Sequence, residues 1–275
     1  MSNYQPTSWS LLPPVVKNLL IINGILYLAT YVLNARYGVD LSSVLGLHYL
    51  TAPDFHPYQI ITYMFEHATF VHIFSNMFAL WMFGYILENY WGPKRFLIYY
   101  FVCGIGGAFI QLGYSGYELH LMHEQVDAFM QHPDPGNFVQ YFNKYNVGLD
   151  LSVKDSINGF VDSWNNNPQD YSMVLQAKSY VMQLYVATEN IPTIGASGAI
   201  FGVLLAFGML FPDTMIYLYF LIPVKAKYFV LFYALFEIYA GITGTEQGIA
   251  HFAHIGGMIF GFFLIRYWKR RPPGF

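Results

Sequence analysis

The chain has 275 residues and a net charge of −3, and it is 55% hydrophobic, 20% aromatic and only 11% charged. An ordinary soluble domain is about 25% charged, so this composition excludes a disordered chain, a coiled coil and most soluble enzymes. There is no basic surplus for nucleic acid, and the single Cys103 excludes a disulfide framework or a CxxC metal site. What remains is an all-α polytopic membrane protein.

A helix needs about 20 apolar residues to cross a hydrocarbon core of roughly 30 Å. Residues 1–13 are polar and proline-bearing, and read as a tail rather than a cleaved signal peptide. Six candidate spans follow: Val15–Leu33, Ala68–Leu87, Phe96–Gly113, Ile194–Phe211, Tyr228–Thr243 and Ile249–Ile265. Lys17 opens the first as a snorkelling anchor. Gly92-Pro93-Lys94-Arg95 separates the second from the third, and the fifth carries one carboxylate, Glu237. The expected organisation is a 1–13 tail, helices 1–3 over 14–114, a polar insertion over 115–189, helices 4–6 over 190–268, and a basic tail over 269–275.

Six spans put both ends of the chain on one side. Nine of the 13 basic residues fall there: Lys17, Lys94, Arg95, Lys225, Lys227, Arg266, Lys269, Arg270 and Arg271. The positive-inside rule then makes both termini cytoplasmic, and the expected setting is a bacterial inner membrane. The insertion lies on the outer side and is acidic. Met122, Val126, Phe129 and Met130 recur near helical spacing, as do Phe138, Tyr141, Phe142 and Tyr145, so it is partly helical. Met215–Pro223 is apolar but too short to cross, and reads as interfacial.

Polar side chains inside a span are costly and each needs a reason. His72 and Asn76 in the second span are four apart and share a helical face. The fourth span opens Ile194-Gly195-Ala196-Ser197-Gly198. From Ser197 to Phe211 it covers only about 22 Å at 1.5 Å per residue, so its N-terminus starts below the outer membrane surface. Unpaired N–H groups at that end favour negative charge, and non-helical backbone at such depth must line a wet cavity or be buried in protein. Ser197 is therefore a candidate nucleophile. It needs a base, and His254 in the sixth span supplies one. Gly257 and Gly261 continue that histidine's face, while Gly198 and Gly202 make a small face on the fourth span. Small faces let membrane helices approach closely. His72, Asn76 and the Ser197 N–H are candidate donors to an oxyanion. His67 and His251 read as structural partners. For Glu237 two readings stay open: a silent pair in the interior, or a place beside a substrate gate.

At these residues the sequence resembles the rhomboid intramembrane serine proteases: His72-x-x-x-Asn76, Gly195-Ala196-Ser197-Gly198 and His254-x-x-Gly257-x-x-x-Gly261 occur in the family's order and spans. The resemblance implies a six-helix rhomboid-like bundle and a Ser–His dyad, with Ser197 as nucleophile and His254 as general base and acid. It implies His72 and Asn76 in the oxyanion hole and the ring of Phe201 stacked on the catalytic histidine. Glu88 matches a carboxylate at the cytoplasmic end of the second span, given a structural role. The family's Trp-Arg pair of the first outer loop is Tyr58-Gln59 here, a departure at the loop's anchor. The implied function is an intramembrane endopeptidase acting on single-span membrane proteins from a water-filled cavity open to the outer face. No cofactor, metal or nucleic acid is expected; the lipid bilayer is. The alternative is an inactive, derlin-type client-binding protein, whose mark would be loss of Ser197 or His254; both are present.

Overall fold

The computed structural model describes residues 10–145, 151–167, 170–218, 221–245 and 248–270, and these are mostly helical (78%). The order is α1 (Pro14–Tyr37), α2 (Leu41–Leu45), α3 (Gln59–Thr62) running into a 3₁₀ turn (Tyr63–Phe65), α4 (Phe70–Trp91), α5 (Pro93–Gln131), α6 (Pro135–Tyr145), α7 (Leu151–Asn166), α8 (Tyr171–Glu189) and α9 (Ser197–Leu210). A ribbon of β1 (Met215–Leu218) and β2 (Ile222–Lys225) leads to α10 (Ala226–Thr243) and α11 (His251–Arg270). Among the described residues, α1, α4, α5 and α10 are long and apolar enough to cross a membrane. Helix α9 is apolar but has only 14 residues, and the two histidines and Arg266 hold down the apolarity of α11.

The chain divides into two units. One takes the described residues up to Leu50, Asp54–Tyr114 and the described residues from Pro192 onward. Helix α9 has no polar face and lies among α4, α10 and α11, as an all-round apolar helix must. Ile200, Val203, Leu204 and Phe207 are buried around it. Helix α1 packs on α4, and Glu88 at the end of α4 locks the pair. Its carboxylate accepts the N–H groups of Val15 (2.9 Å) and Val16 (2.8 Å). Those donors belong to the first turn of α1 and have no partner within the helix; negative charge there also suits the helix dipole. Gly92, at φ 81°, ends α4, and Pro93 starts α5 where its missing N–H does no harm.

The loop before α4 is held by a single buried amide, that of Gln59. Gln59 is fully buried. Its Nε2 donates to the carbonyls of Val44 (3.1 Å) and Asp54 (2.9 Å), and its Oε1 accepts from the N–H groups of His48 (3.3 Å) and His56 (3.1 Å). One neutral amide thus ties four backbone points of the loop.

The second unit comprises Thr51–Pro53 and Ser115–Ile191. The helical spacing seen in the sequence marks real faces: Met122, Val126 and Phe129 of α5, Phe138, Tyr141 and Phe142 of α6, Val161 and Trp164 of α7, and Ala177 and Val181 of α8 form one buried core. The α5 helix runs unbroken to Gln131 instead of stopping at Gly113, because no proline lies between the two residues. The Met215–Pro223 segment pairs with its own continuation, Met215 opposite Lys225, while Asp213 bridges Lys225 (3.1 Å) and Lys227 (2.9 Å) at the ribbon's base.

The Gln59 network makes a direct prediction. Gln59→Ala leaves buried backbone groups unsatisfied, at about 1–3 kcal/mol each before relaxation. The expected net loss is about 2–4 kcal/mol, read as a lowered unfolding midpoint in detergent; an unchanged midpoint would remove Gln59 as the anchor.

Candidate active site

Helix α9 starts at Ser197 because the chain up to Gly195 is pinned in non-helical backbone. Thr193 and Leu47 exchange two hydrogen bonds (2.8 and 2.9 Å). The Gly195 N–H donates to the Tyr63 carbonyl at 2.9 Å, and Gly195 itself sits at φ 128°, a conformation open to glycine and strained for other residues. Ser197 is then the first helical residue. The N–H groups of that first turn have no intrahelical partner, so they carry the positive end of the helix dipole.

Helix α11 brings the imidazole to this point. A Cβ built on Gly257 would run into the carbonyl of Gly198, and one on Gly261 into the Tyr99 hydroxyl. The two helices touch backbone to backbone, as only glycine permits. The contact sets Ser197 Oγ 2.7 Å from His254 Nε2. The Phe201 ring, one turn along α9, stacks on His254 with centroids 4.1 Å apart and planes 9° from parallel. His254 is buried, whereas Ser197 keeps partial exposure.

Helix α4 supplies the third wall. Thr69 caps it, its hydroxyl accepting the His72 N–H at 3.1 Å. A Cβ on Gly195 would lie 2.9 Å from His72 Nε2 and 3.5 Å from Ser197 Oγ, so both groups border the same glycine. Asn76 is buried, and its Nδ2 has no hydrogen-bond partner among the described residues. An orphan buried donor is uncommon and calls for an explanation. The His67 ring meets His72 edge-on at 4.9 Å. Burial, reinforced by the neighbouring His72, pushes the His67 pKa down to about 3.

Two further residues join the group from places where sequence reasoning assigned no chemistry. Glu237 of α10 is 3% exposed. Its Oε2 lies 2.7 Å from His254 Nδ1 and 2.7 Å from His251 Nδ1. The available signal was a lone carboxylate inside an apolar helix, but nothing in the sequence says which way it points. A cavity of about 430 Å³ opens nearby among Tyr27, Thr30, Asn34, Asp40, His67 and Ile194; neither Ser197 nor His254 lines it. His120 and His123 pair with Glu124 and Asp127 on an exposed helix face.

What fold and site define is a multi-pass helical membrane protein with a serine hydroxyl seated on an imidazole at a helix start. The rhomboid domain family matches residues 54–121 and 171–271, more than half of the chain, and the chain belongs to the rhomboid family. It is 25% identical over 219 residues to an uncharacterised rhomboid protein of Schizosaccharomyces pombe named as mitochondrial, covering 77% of this chain and 52% of that one. It is 24% identical over 243 residues to the mitochondrial RHOMBOID-like protein 12 of Arabidopsis thaliana, with 88% and 55% covered. A 91-residue stretch is 30% identical to Rhomboid-like protease 3 of Toxoplasma gondii, covering 32% of this chain and 35% of that one. The chain thus spans about half the length of the first two relatives. Their mitochondrial names do not fit the bacterial inner membrane expected from sequence, which the similarities leave unsupported.

Two predictions follow from this geometry. Gly257→Ala forces α9 and α11 apart; overpacking costs about 1–3 kcal/mol, and a shift of about 1 Å in reacting groups lowers rates about 10²-fold. Fluorophosphonate labelling of Ser197 should fall accordingly in protein that still elutes as folded. For His67, an unfolded chain takes up a proton below a pKa of about 6.5 that the folded protein refuses until about pH 3. Stability is therefore lost as pH falls from 7 toward 5. His67→Gln should flatten that slope in thermal unfolding at the two pH values.

Proposed function

We propose that this protein is an intramembrane serine endopeptidase that cuts single-span membrane proteins. The observation that carries the reading is the 2.7 Å contact between Ser197 Oγ and His254 Nε2 at the start of a short apolar helix. Six helices, α1, α4, α5, α9, α10 and α11, cross the bilayer in this reading, with residues 115–189 inserted on the outer side. Both ends of the chain then lie on the opposite, basic side. The 14 residues of α9 span about 21 Å at 1.5 Å per residue, so Ser197 sits below the outer surface in this reading, and its partial exposure leaves it open to water.

The chemistry follows from the contacts. Ser197 Oγ–H donates to His254 Nε2, which takes the proton as the oxygen attacks a substrate carbonyl. The tetrahedral oxyanion then needs donors. The first-turn N–H groups of α9 and the His72 ring, whose Nε2 borders Gly195, would serve, and the unpartnered Nδ2 of Asn76, one turn along α4 from His72, would be a further donor. His254 returns the proton to the leaving amine, and water releases the acyl group by the same steps in reverse. The Phe201 stack restrains the ring through both transfers. Supporting this reading over an inactive, client-binding protein is the intact Ser–His contact.

The test is cleavage of a single-span substrate by the full chain in liposomes. Ser197→Ala and His254→Ala should each abolish it, and Asn76→Ala should lower kcat by about 10²-fold with KM little changed. Substrates with helix-breaking residues near the cut should be preferred, since a helical peptide bond must unwind before attack. Undiminished cleavage by Ser197→Ala would end the proposal.

A further inference from the structure

A serine–histidine pair works only with one tautomer of the ring: the proton must sit on Nδ1 so that Nε2 keeps a lone pair for the hydroxyl. A dyad contains nothing that sets this. Here the Nδ1 of His254 faces Glu237 Oε2 at 2.7 Å, and the same oxygen receives the Nδ1 of His251 at 2.7 Å. All three side chains are buried. They come from separate positions, Glu237 on α10 and the two histidines one turn apart on α11. His251 Nε2 in turn faces the Thr245 carbonyl at 3.3 Å, so both of its ring nitrogens look onto acceptor oxygens.

We propose that Glu237 is a positioning residue for the proteolytic reaction, completing a Ser197–His254–Glu237 chain, and that His251 is the second donor that holds the carboxylate in place. The proposal rests on the serine-protease reading above. The carboxylate accepts the His254 Nδ1–H and does not take the proton; it holds the working tautomer and steadies the imidazolium that forms when Ser197 attacks. A carboxylate inside a membrane helix is expensive when unpaired, and His251 shares that burden without touching Ser197. The arrangement differs from a metal centre. Glu237, His251 and His254 bring their ligand atoms within 4.8 Å of one another. Tetrahedral donors at bond lengths of about 2.0–2.1 Å stand roughly 3.3 Å apart, whereas the carboxylate oxygen is at hydrogen-bond distance from both rings.

The experiment compares wild type, Glu237→Gln and His251→Gln as full chains in liposomes, with a single-span substrate and a fluorophosphonate probe. Glu237→Gln should lower kcat and probe labelling by about 10²–10⁴-fold while KM and the unfolding midpoint stay close to wild type. His251→Gln should lower kcat less, because the carboxylate keeps one donor. Nitrogen NMR of ¹⁵N-histidine-labelled wild type should show His254 protonated on Nδ1, a measurement that stands even if the variants fail to fold. A kcat for Glu237→Gln within about threefold of wild type, an Nε2-protonated His254, or activity that chelators remove would overturn the proposal. Wild-type protein that neither cleaves nor labels would overturn the protease reading itself, and this inference with it.

Discussion

The backbone contact between Gly198 of α9 and Gly257 of α11 is the constraint on which the rest depends. Two helices carrying ordinary side chains pack with axes about 8–10 Å apart, and that separation would hold the Ser197 hydroxyl out of reach of an imidazole on the neighbour. Removing the Cβ on both sides lets the helices close until Oγ and Nε2 stand 2.7 Å apart. The same closeness brings Phe201 flat against the ring. In lipid there is no hydrophobic drive between apolar helices, so this close van der Waals fit is itself a main source of cohesion.

Around that contact, buried polar groups fall into two sets. Glu88 accepts two N–H groups of α1, and Gln59 makes four backbone contacts. These groups are saturated, as burial in a weakly polar interior demands, and their work is to hold helices and loops. Asn76 differs: its amide donor is buried with no partner among the described residues. Ser197 differs too, keeping partial exposure where its neighbours are sealed.

Identity to the relatives named as mitochondrial is 24–25%. Gln59, a neutral amide, anchors the first loop through four backbone hydrogen bonds. The second unit, Ser115–Ile191 with Thr51–Pro53, has a core of its own, built from apolar faces on four helix segments.

Much of this was legible in the sequence. Apolar stretches of spanning length, broken by Gly92-Pro93 and Pro212-Asp213, set where helices start and stop, because lipid and proline impose local rules. Ser197, His254 and the glycine faces were readable because each carries a short-range signature: a helix start, a small-residue stripe, a polar group where none belongs. Glu237 was not, since its partners lie 14 and 17 positions away on another helix and a lone carboxylate on a helix does not record its direction. Nor was the pairing of β1 with β2, which depends on cross-strand contacts rather than on local propensity. By itself the sequence determined a multi-pass helical membrane protein with a serine and a histidine on close-packing faces, because those properties follow from composition and local spacing. Only the tertiary structure decided which nitrogen meets which oxygen, since hydrogen bonds are made across helices at distances that no periodicity encodes.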